Sequence, residues 1–404
     1  MSAKFNDMKT QRFFLIFSFT LSVFLSYGQN ENKVVFPELN ALVDAVRAQY
    51  VPDRRDNVYE ISVTEVSGKP ALKGATSVAE AKVDLLSRIR KIRPEVIDNI
   101  QILPDESLGD QIYAVANVSV ADLRTGSSYA DEMATQLLLG SPMQILQSSS
   151  GWYRVRTPER YVAWVQRGTV KRMNQEALNQ WIKAPKVIFT DDYGFACETP
   201  DENGQRSSDL VFGNLLKWEG DSGRFYRVSY PDGRGAYVLK SQSCMFDDWK
   251  NSIQLTEESI VEKALKLKGI PYSWGSASTK NLDCSGFAKT VYLKHGIVLK
   301  RDASQQAYTG IPVDISKGYD NLRPGDLMFF GKAAEGDRKE RVRHVAIYLG
   351  NKEFIHASGY IRINSLDPAQ PHYDEGNTVE FIRASRILGV VGTEGVWEHT
   401  GILH

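Results

Sequence analysis

The chain has 404 residues, 42% of them hydrophobic and 24% charged, with Lys plus Arg and Asp plus Glu balanced at 49 each. That length exceeds one ordinary core, so two to four domains are expected. A net charge of zero removes the bulk attraction on which nonspecific nucleic-acid binding rests, which argues against a nucleic-acid partner.

Lys4, Lys9 and Arg12 precede an apolar run, Phe13 to Leu25, and Ser26 and Gly28 follow at positions −3 and −1 of a cleavage site. This is the pattern of a secretory signal over 1–28, and the run is shorter than the ~20 residues that a membrane span needs. An uncleaved anchor is the alternative. Export to the periplasm or the exterior is the expectation, with no stable membrane anchor after cleavage.

Residues 33–110 read as a mixed α/β region. Glu38–Tyr50 and Val78–Ile92 have helical spacing, Val58–Val66 alternates like a strand, and Ile100–Leu103 suits a short one. No chemistry attaches to it, and a packing or spacer role is expected. Residues 111–175 change to short β-rich stretches: Tyr113–Val120, Gln136–Leu139, Met143–Ser148, Trp152–Thr157 and Tyr161–Gln166. Residues 184–250 repeat the pattern, and Gly151-Trp152-Tyr153-Arg154-Val155 parallels Arg224-Phe225-Tyr226-Arg227-Val228. A weak internal duplication of a small barrel follows. Trp152, Trp164, Trp218 and Phe225 are expected in the barrel cores. Cys197 and Cys244 fall within the second stretch, either as a pair or as two separate thiols.

From Glu257 the period becomes helical, and a second helix begins at Asp283-Cys284-Ser285. Strands follow at Leu327–Phe330, His344–Leu349 and Glu353–His356, which makes 255–404 an α+β domain. A thiol at a helix N-terminus faces the positive end of the dipole, an arrangement expected to lower the Cys284 pKa and favour the nucleophilic thiolate. Asp283 or Ser285 can cap that helix.

His344 and His356 lie twelve residues apart around Gly350-Asn351. A hairpin centred on Gly350 would set them face to face; a two-residue loop would slip the pairing by one. One imidazole could then take the thiol proton while the other orients it. A Cys-His-His zinc site is the rival reading, although no CxxC or HExxH spacing supports it.

Pro271-Tyr272-Ser273-Trp274-Gly275, Asp283-Cys284-Ser285-Gly286-Phe287, Leu322-Arg323-Pro324-Gly325-Asp326-Leu327 and the two-histidine hairpin together resemble the NlpC-type papain-like cysteine peptidases over roughly 258–390. The resemblance implies Cys284 as nucleophile, His344 as general base, His356 as the orienting residue and Tyr272 near the oxyanion, with no cofactor or metal. The β-rich stretches resemble bacterial SH3-like domains. The fold expected is therefore multidomain: a small mixed α/β N-terminal region, two SH3-like barrels and an α+β papain-like domain.

The whole layout is similar to γ-D-glutamyl-L-diamino acid endopeptidases that carry two SH3-like domains. That similarity implies murein peptides beginning with a free L-alanine as the substrate. It implies that Glu132 and Tyr161 lie at the barrel positions closing one end of the cleft, that Asp283 and Ser285, with Glu132, receive the amine, that Trp274 lines the alanine pocket, and that Arg301 pairs with the D-glutamate carboxylate. The charged insertion Glu335–Arg343 departs from the family's compact form and is expected to be a solvated loop rather than part of the cleft. Enzymes cutting intact peptidoglycan, and a non-catalytic wall-binding scaffold, are the alternatives.

Overall fold

The computed structural model describes residues 36–399; the expected signal segment lies outside them. Among the described residues no helix is long and apolar enough to cross a membrane.

The N-terminal unit runs α1 (Pro37–Tyr50), β1 (Tyr59–Val66), β2 (Lys69–Thr76), α2 (Ala79–Arg90) and β3 (Ile97–Ile102). β1 and β2 form an antiparallel hairpin, while β2 and β3 are parallel, joined through α2. The apolar stripe of α1 (Leu39, Val43, Val46) and that of α2 (Ala81, Leu85, Ile89) close over one face of the sheet. Strand β2 escaped the sequence reading because Lys69-Pro70-Ala71-Leu72-Lys73-Gly74 lacks both alternation and β-branched residues.

Next come β4 (Tyr113–Ala116), β5 (Val120–Arg124), β6 (Met133–Leu138), β7 (Pro142–Ser149), β8 (Trp152–Arg156), β9 (Val162–Gln166) and β10 (Val170–Met173). Helix α3 (Gln175–Lys183) leads to β11 (Lys186–Phe189), β12 (Tyr193–Cys197), β13 (Arg206–Val211), β14 (Leu215–Ser222), β15 (Phe225–Ser229), β16 (Gly235–Leu239) and β17 (Ser243–Met245). The first sheet is ordered β10-β4-β7-β8-β9-β5-β6 and the second β17-β11-β14-β15-β16-β12-β13. Each position of one corresponds to the strand seven places later in the other, so the weak sequence parallel reflects a repeated topology. Cys197 on β12 and Cys244 on β17 are both free thiols.

After α4 (Phe246–Ser252), the C-terminal unit opens with α5 (Glu257–Lys266) and the short pair β18 (Ala277–Ser278) and β19 (Asn281–Leu282). Helix α6 (Cys284–Leu293), β20 (Ile297–Leu299) and α7 (Ala303–Gln306) follow. The strands β21 (Ile311–Val313), β22 (Leu327–Lys332), β23 (Arg341–Gly350), β24 (Glu353–Ser358) and β25 (Tyr360–Ser365) lie before α8 (Glu375–Val379), and β26 (Phe381–Arg386) and β27 (Val396–Glu398) after it. Six of these strands form one sheet in the order β21-β26-β22-β23-β24-β25. Helix α6 is almost wholly buried because its Phe287, Ala288 and Val291 pack against Val345, Ile347, Ile355 and Ala357 of that sheet.

The β units are clamped to the C-terminal unit by specific contacts. Lys280 reaches Asp209 of the second β unit at 2.5 Å and Ser119 of the first at 3.1 Å. The Gln136 amide oxygen accepts the Ala277 N–H at 2.9 Å. Gly275, at φ 79°, lies so close to the first β unit that a Cβ there would come within 2.4 Å of the Met133 carbonyl oxygen. Only glycine satisfies both that dihedral and that approach.

Candidate active site

Asp283 caps α6, accepting the Gly286 N–H at 2.7 Å, and this presents Cys284 on the first turn. The helix can seat deeply because Gly286 lets its backbone approach Ser276, where any Cβ would fall 2.0 Å from the carbonyl oxygen. The depth has an electrostatic consequence that overturns one expectation. Burial, followed by the negative charge of Asp283, pushes the Cys284 thiol up to about 12; amides of Val345 and Ser285 and the Arg301 charge pull it down by less. The helix terminus is present, but desolvation outweighs it, so the resting sulfur is a thiol.

His344 Nε2 lies 2.8 Å from His356 Nδ1, and His356 Nε2 lies 3.0 Å from the Asn364 amide oxygen. The Asn364 amide nitrogen donates to the His372 carbonyl at 3.0 Å, which fixes its oxygen toward His356. The proton positions follow from that network. His356 donates from Nε2, so its Nδ1 accepts from His344 Nε2–H, and His344 Nδ1 keeps its lone pair. Burial lowers His344 to about 3, with the His356 charge second; burial also lowers His356 to about 4. Both rings are therefore neutral at neutral pH. Two imidazoles hydrogen-bonded to each other make a relay rather than two ligands converging on one ion.

The hairpin does not centre as a face-to-face pairing requires. Ile347 pairs with Ile355 and Tyr348 with Phe354, with a bulge before Gly350. Continuing that register sets Ala346, not His344, across from His356. The histidines remain on one face and meet diagonally, a span within reach of long side chains. Asn364, opposite Phe354 on β25, was missed in the sequence. Its only signal was a polar residue in the alternating stretch Tyr360-Ile361-Arg362-Ile363-Asn364.

A cavity of about 480 Å³ opens over Cys284 and Ser285. The first β unit supplies Thr125, Glu132, Met133 and Tyr161 to one side, and Trp274, Asp302, Ser304 and Arg341–Arg343 complete the wall. Glu132 is exposed, and its carboxylate makes no hydrogen bond or ion pair among the described residues. The Tyr161 hydroxyl donates to Asp302 Oδ2 at 3.3 Å. Two residues before it, Glu159 forms a buried ion pair with Lys289 of α6, fixing the Tyr161 loop to the helix that carries Cys284. Trp274 stands on the rim, 60% exposed. Tyr272 sits beside the thiol, and burial above all, with the Asp283 charge adding to it, holds its phenol well above the ordinary range.

Arg301 and Asp283 occupy different positions from those expected. Arg301 is 1% exposed and directs Nη2 to Asp283 Oδ2 at 2.5 Å, Nη1 to Ser285 Oγ at 2.8 Å and Nε to Thr135 Oγ1 at 2.9 Å. The carboxylate it holds is therefore the protein's own. Asp283 also accepts from Gly275 N at 2.9 Å, besides Gly286, Ser285 and Arg301, so it has little capacity left for an incoming amine. The charged insertion likewise departs from a solvated loop. Its tip is exposed, but Glu340 binds Tyr308 at 3.1 Å and Arg383 at 3.0 Å, and Arg341, Val342 and Arg343 line the cavity. Arg343 pairs with Glu380; the Arg341 side chain is exposed and makes no such contact among the described residues.

Residues 269–382 match the NlpC/P60 family, and residues 123–168 match the bacterial dipeptidyl-peptidase SH3 domain. A γ-D-glutamyl-L-lysine dipeptidyl-peptidase of Bacillus cereus is 28% identical over 268 residues, covering 64% of this chain and 76% of that one. Dipeptidyl-peptidase 6 of Lysinibacillus sphaericus is 28% identical over 272 residues, covering 64% of this chain and 94% of its own length. A crystal structure of an NlpC/P60 family protein from Bacillus cereus superposes with a TM-score of 0.57 at 24% identity, over 68% of this chain and 99% of that one. That likeness is one of fold.

Proposed function

We propose that this chain, a cysteine peptidase of the NlpC/P60 family with a bacterial SH3 domain, cleaves the γ-D-glutamyl–diamino acid bond of short murein peptides that begin with a free L-alanine. The observation that carries this reading is the joint ownership of the cavity. Glu132 and Tyr161 of the first β unit line the same cavity as Cys284, so both units contribute to one site. A volume of about 480 Å³ suits a ligand of two or three residues. An unpaired carboxylate and a tyrosine oxygen on the wall of that cavity are what an incoming ammonium requires. The similarity to the Bacillus cereus γ-D-glutamyl-L-lysine dipeptidyl-peptidase supports the substrate class. The second β unit, by its shared topology, is read as a second SH3-like barrel that braces the first.

In this reading the reaction starts from a neutral pair. As Sγ of Cys284 attacks the γ-carbonyl carbon, its proton passes to Nδ1 of His344, and His356, held by Asn364, stabilises the imidazolium. The tetrahedral oxyanion is met by the Cys284 N–H, an orphan donor of the first turn of α6, and by Tyr272. Collapse breaks the C–N bond, with the diamino acid nitrogen taking the proton from His344. Water, deprotonated by His344, then opens the thioester. With Arg301 spent on Asp283, a substrate carboxylate is assigned to Arg341. A requirement for a free amine restricts the enzyme to peptides already detached from glycan, a recycling role for an exported protein.

The test incubates the protein with L-Ala-γ-D-Glu-meso-diaminopimelate, its N-acetylated form and intact sacculi, with Cys284→Ala as control. Cleavage of the free-amine peptide alone, lost in the variant, is the expected outcome. Equal cleavage of the acetylated peptide, or release from sacculi, would overturn the amine requirement in favour of a general wall hydrolase. No hydrolysis of any of them would favour a binding scaffold.

A further inference from the structure

We propose that Arg55, on the N-terminal unit, is a positioning residue of the cleft that fixes the hydrogen-bond polarity of Tyr161. This rests on the free-amine reading given above and extends it to a unit that neither matched region, 123–168 nor 269–382, includes.

The segment between α1 and β1 is wedged against both neighbouring units. Arg55 Nη1 lies 2.9 Å from Asp302 Oδ2 and 2.7 Å from Ser304 Oγ, across 247 and 249 residues of sequence. Asp53 holds the guanidinium from behind, with Nε–Oδ1 at 2.8 Å and Nη2–Oδ2 at 2.7 Å. The Arg55 carbonyl accepts the N–H of Val162, the neighbour of Tyr161, at 2.6 Å. Flanking contacts lock the segment: Asp56 to Lys300 at 2.8 Å, and Gln305 to Asp53 at 2.9 Å and to Asp56 at 3.1 Å.

Asp302, Ser304 and Tyr161 all line the cavity over Cys284, and Asp302 Oδ2 is shared between Arg55 and the Tyr161 hydroxyl. A tyrosine that spends its one proton on Asp302 presents only lone pairs elsewhere, as an ammonium requires. The Arg55 fork also cancels the Asp302 charge and pins that carboxylate in place. Without Arg55, Asp302 loses its arginine counter-charge and keeps only the Tyr161 hydroxyl and its helix-capping contact, so its uncompensated charge competes with Glu132 for the amine in an unproductive position.

The experiment measures kcat and KM separately for Arg55→Ala, Arg55→Lys, Asp302→Asn and Tyr161→Phe, on the free-amine peptide and its N-acetylated form. Circular dichroism and melting temperature are recorded for each protein. Arg55→Ala is expected to raise KM for the free-amine peptide about tenfold, the worth of roughly one charge-assisted hydrogen bond. It should leave kcat within about threefold and narrow the preference over the acetylated peptide. Arg55→Lys should recover part of the loss, and Asp302→Asn, whose amide NH2 can donate to the Tyr161 hydroxyl and reverse its polarity, should also raise KM for the free-amine peptide should Arg55→Ala misfold. The proposal is overturned if Arg55→Ala and Asp302→Asn keep wild-type KM and selectivity while Tyr161→Phe loses them, a result that leaves the amine reading standing. Wild-type enzyme that cleaves both peptides equally overturns the amine reading itself, and the Arg55 role with it.

Discussion

Arg301 grips Asp283, the residue directly ahead of Cys284, through two nitrogens, Nη2 to Oδ2 at 2.5 Å and Nη1 to Oδ1 at 3.2 Å. Both side chains are almost fully buried, at 1% and 7% exposure. The pair orients the helix cap rather than the substrate, and Thr135 of the first β unit completes it. Removing the cation would leave a buried carboxylate uncompensated, a defect worth about 3–5 kcal/mol. Arg301→Met is therefore expected to lose about 3 kcal/mol of stability in urea denaturation, and adding Asp283→Asn should restore part of it. A loss below about 1 kcal/mol in the single variant would mean that the pair contributes little.

Asn364 holds His356 in the tautomer that leaves His344 Nδ1 unprotonated. Asn364→Leu removes the acceptor without a large change of volume. It should cut kcat about 10- to 100-fold, by analogy with other residues that orient a catalytic or ligating histidine, with KM nearly unchanged. Full activity in steady-state kinetics would remove Asn364 from the relay.

Burial raises the Cys284 thiol to about 12 and lowers His344 to about 3. Alkylation of Cys284 by iodoacetamide, followed on its own peptide by mass spectrometry, should keep accelerating through pH 10. A plateau between pH 6 and 8 would show a preformed thiolate. With His344 neutral, kcat/KM should stay flat from pH 8 to about 5, where an ordinary imidazole near 6.5 would already have lost it.

The same shifts set the acid limit of folding. The folded-state values of His295, His344 and His356 are lowered to about 4, 3 and 4, with burial the largest cause in each. Below pH 6.5 the unfolded chain takes up protons at these sites that the folded chain refuses. Their contribution is full above about 6.5 and falls as pH drops toward 4 and 3. Urea midpoints should decline across that window, and replacing His295 by Gln should flatten the decline.

Arg341 is the cavity arginine left without a protein partner among the described residues. Arg341→Ala should raise KM about tenfold for a peptide carrying the carboxylate that it binds. Substituting L-lysine for meso-diaminopimelate, and D-isoglutamine for D-glutamate, identifies which carboxylate that is, because the variant should lose its effect on one of them. An unchanged KM on the parent peptide would remove Arg341 from substrate binding.

Local pattern determined much of this protein. Asp283-Cys284-Ser285 ahead of Phe287 and Val291 marks a capped helix carrying a thiol, and the even spacing of His344 and His356 marks one face of a hairpin. Those features depend on the next few residues, so helical and strand periodicity reveals them. Sequence could not show the thiol's protonation state, because burial depth is set by Gly286 packing on Ser276 and by the sheet beneath α6. Nor could it show which carboxylate Arg301 binds, that Asn364 orients His356, or that Arg55 reaches Asp302. An arginine's side chain looks the same in every sequence, whereas its partner depends on which of several carboxylates the fold brings within 3 Å. For Arg55 that carboxylate is 247 residues away.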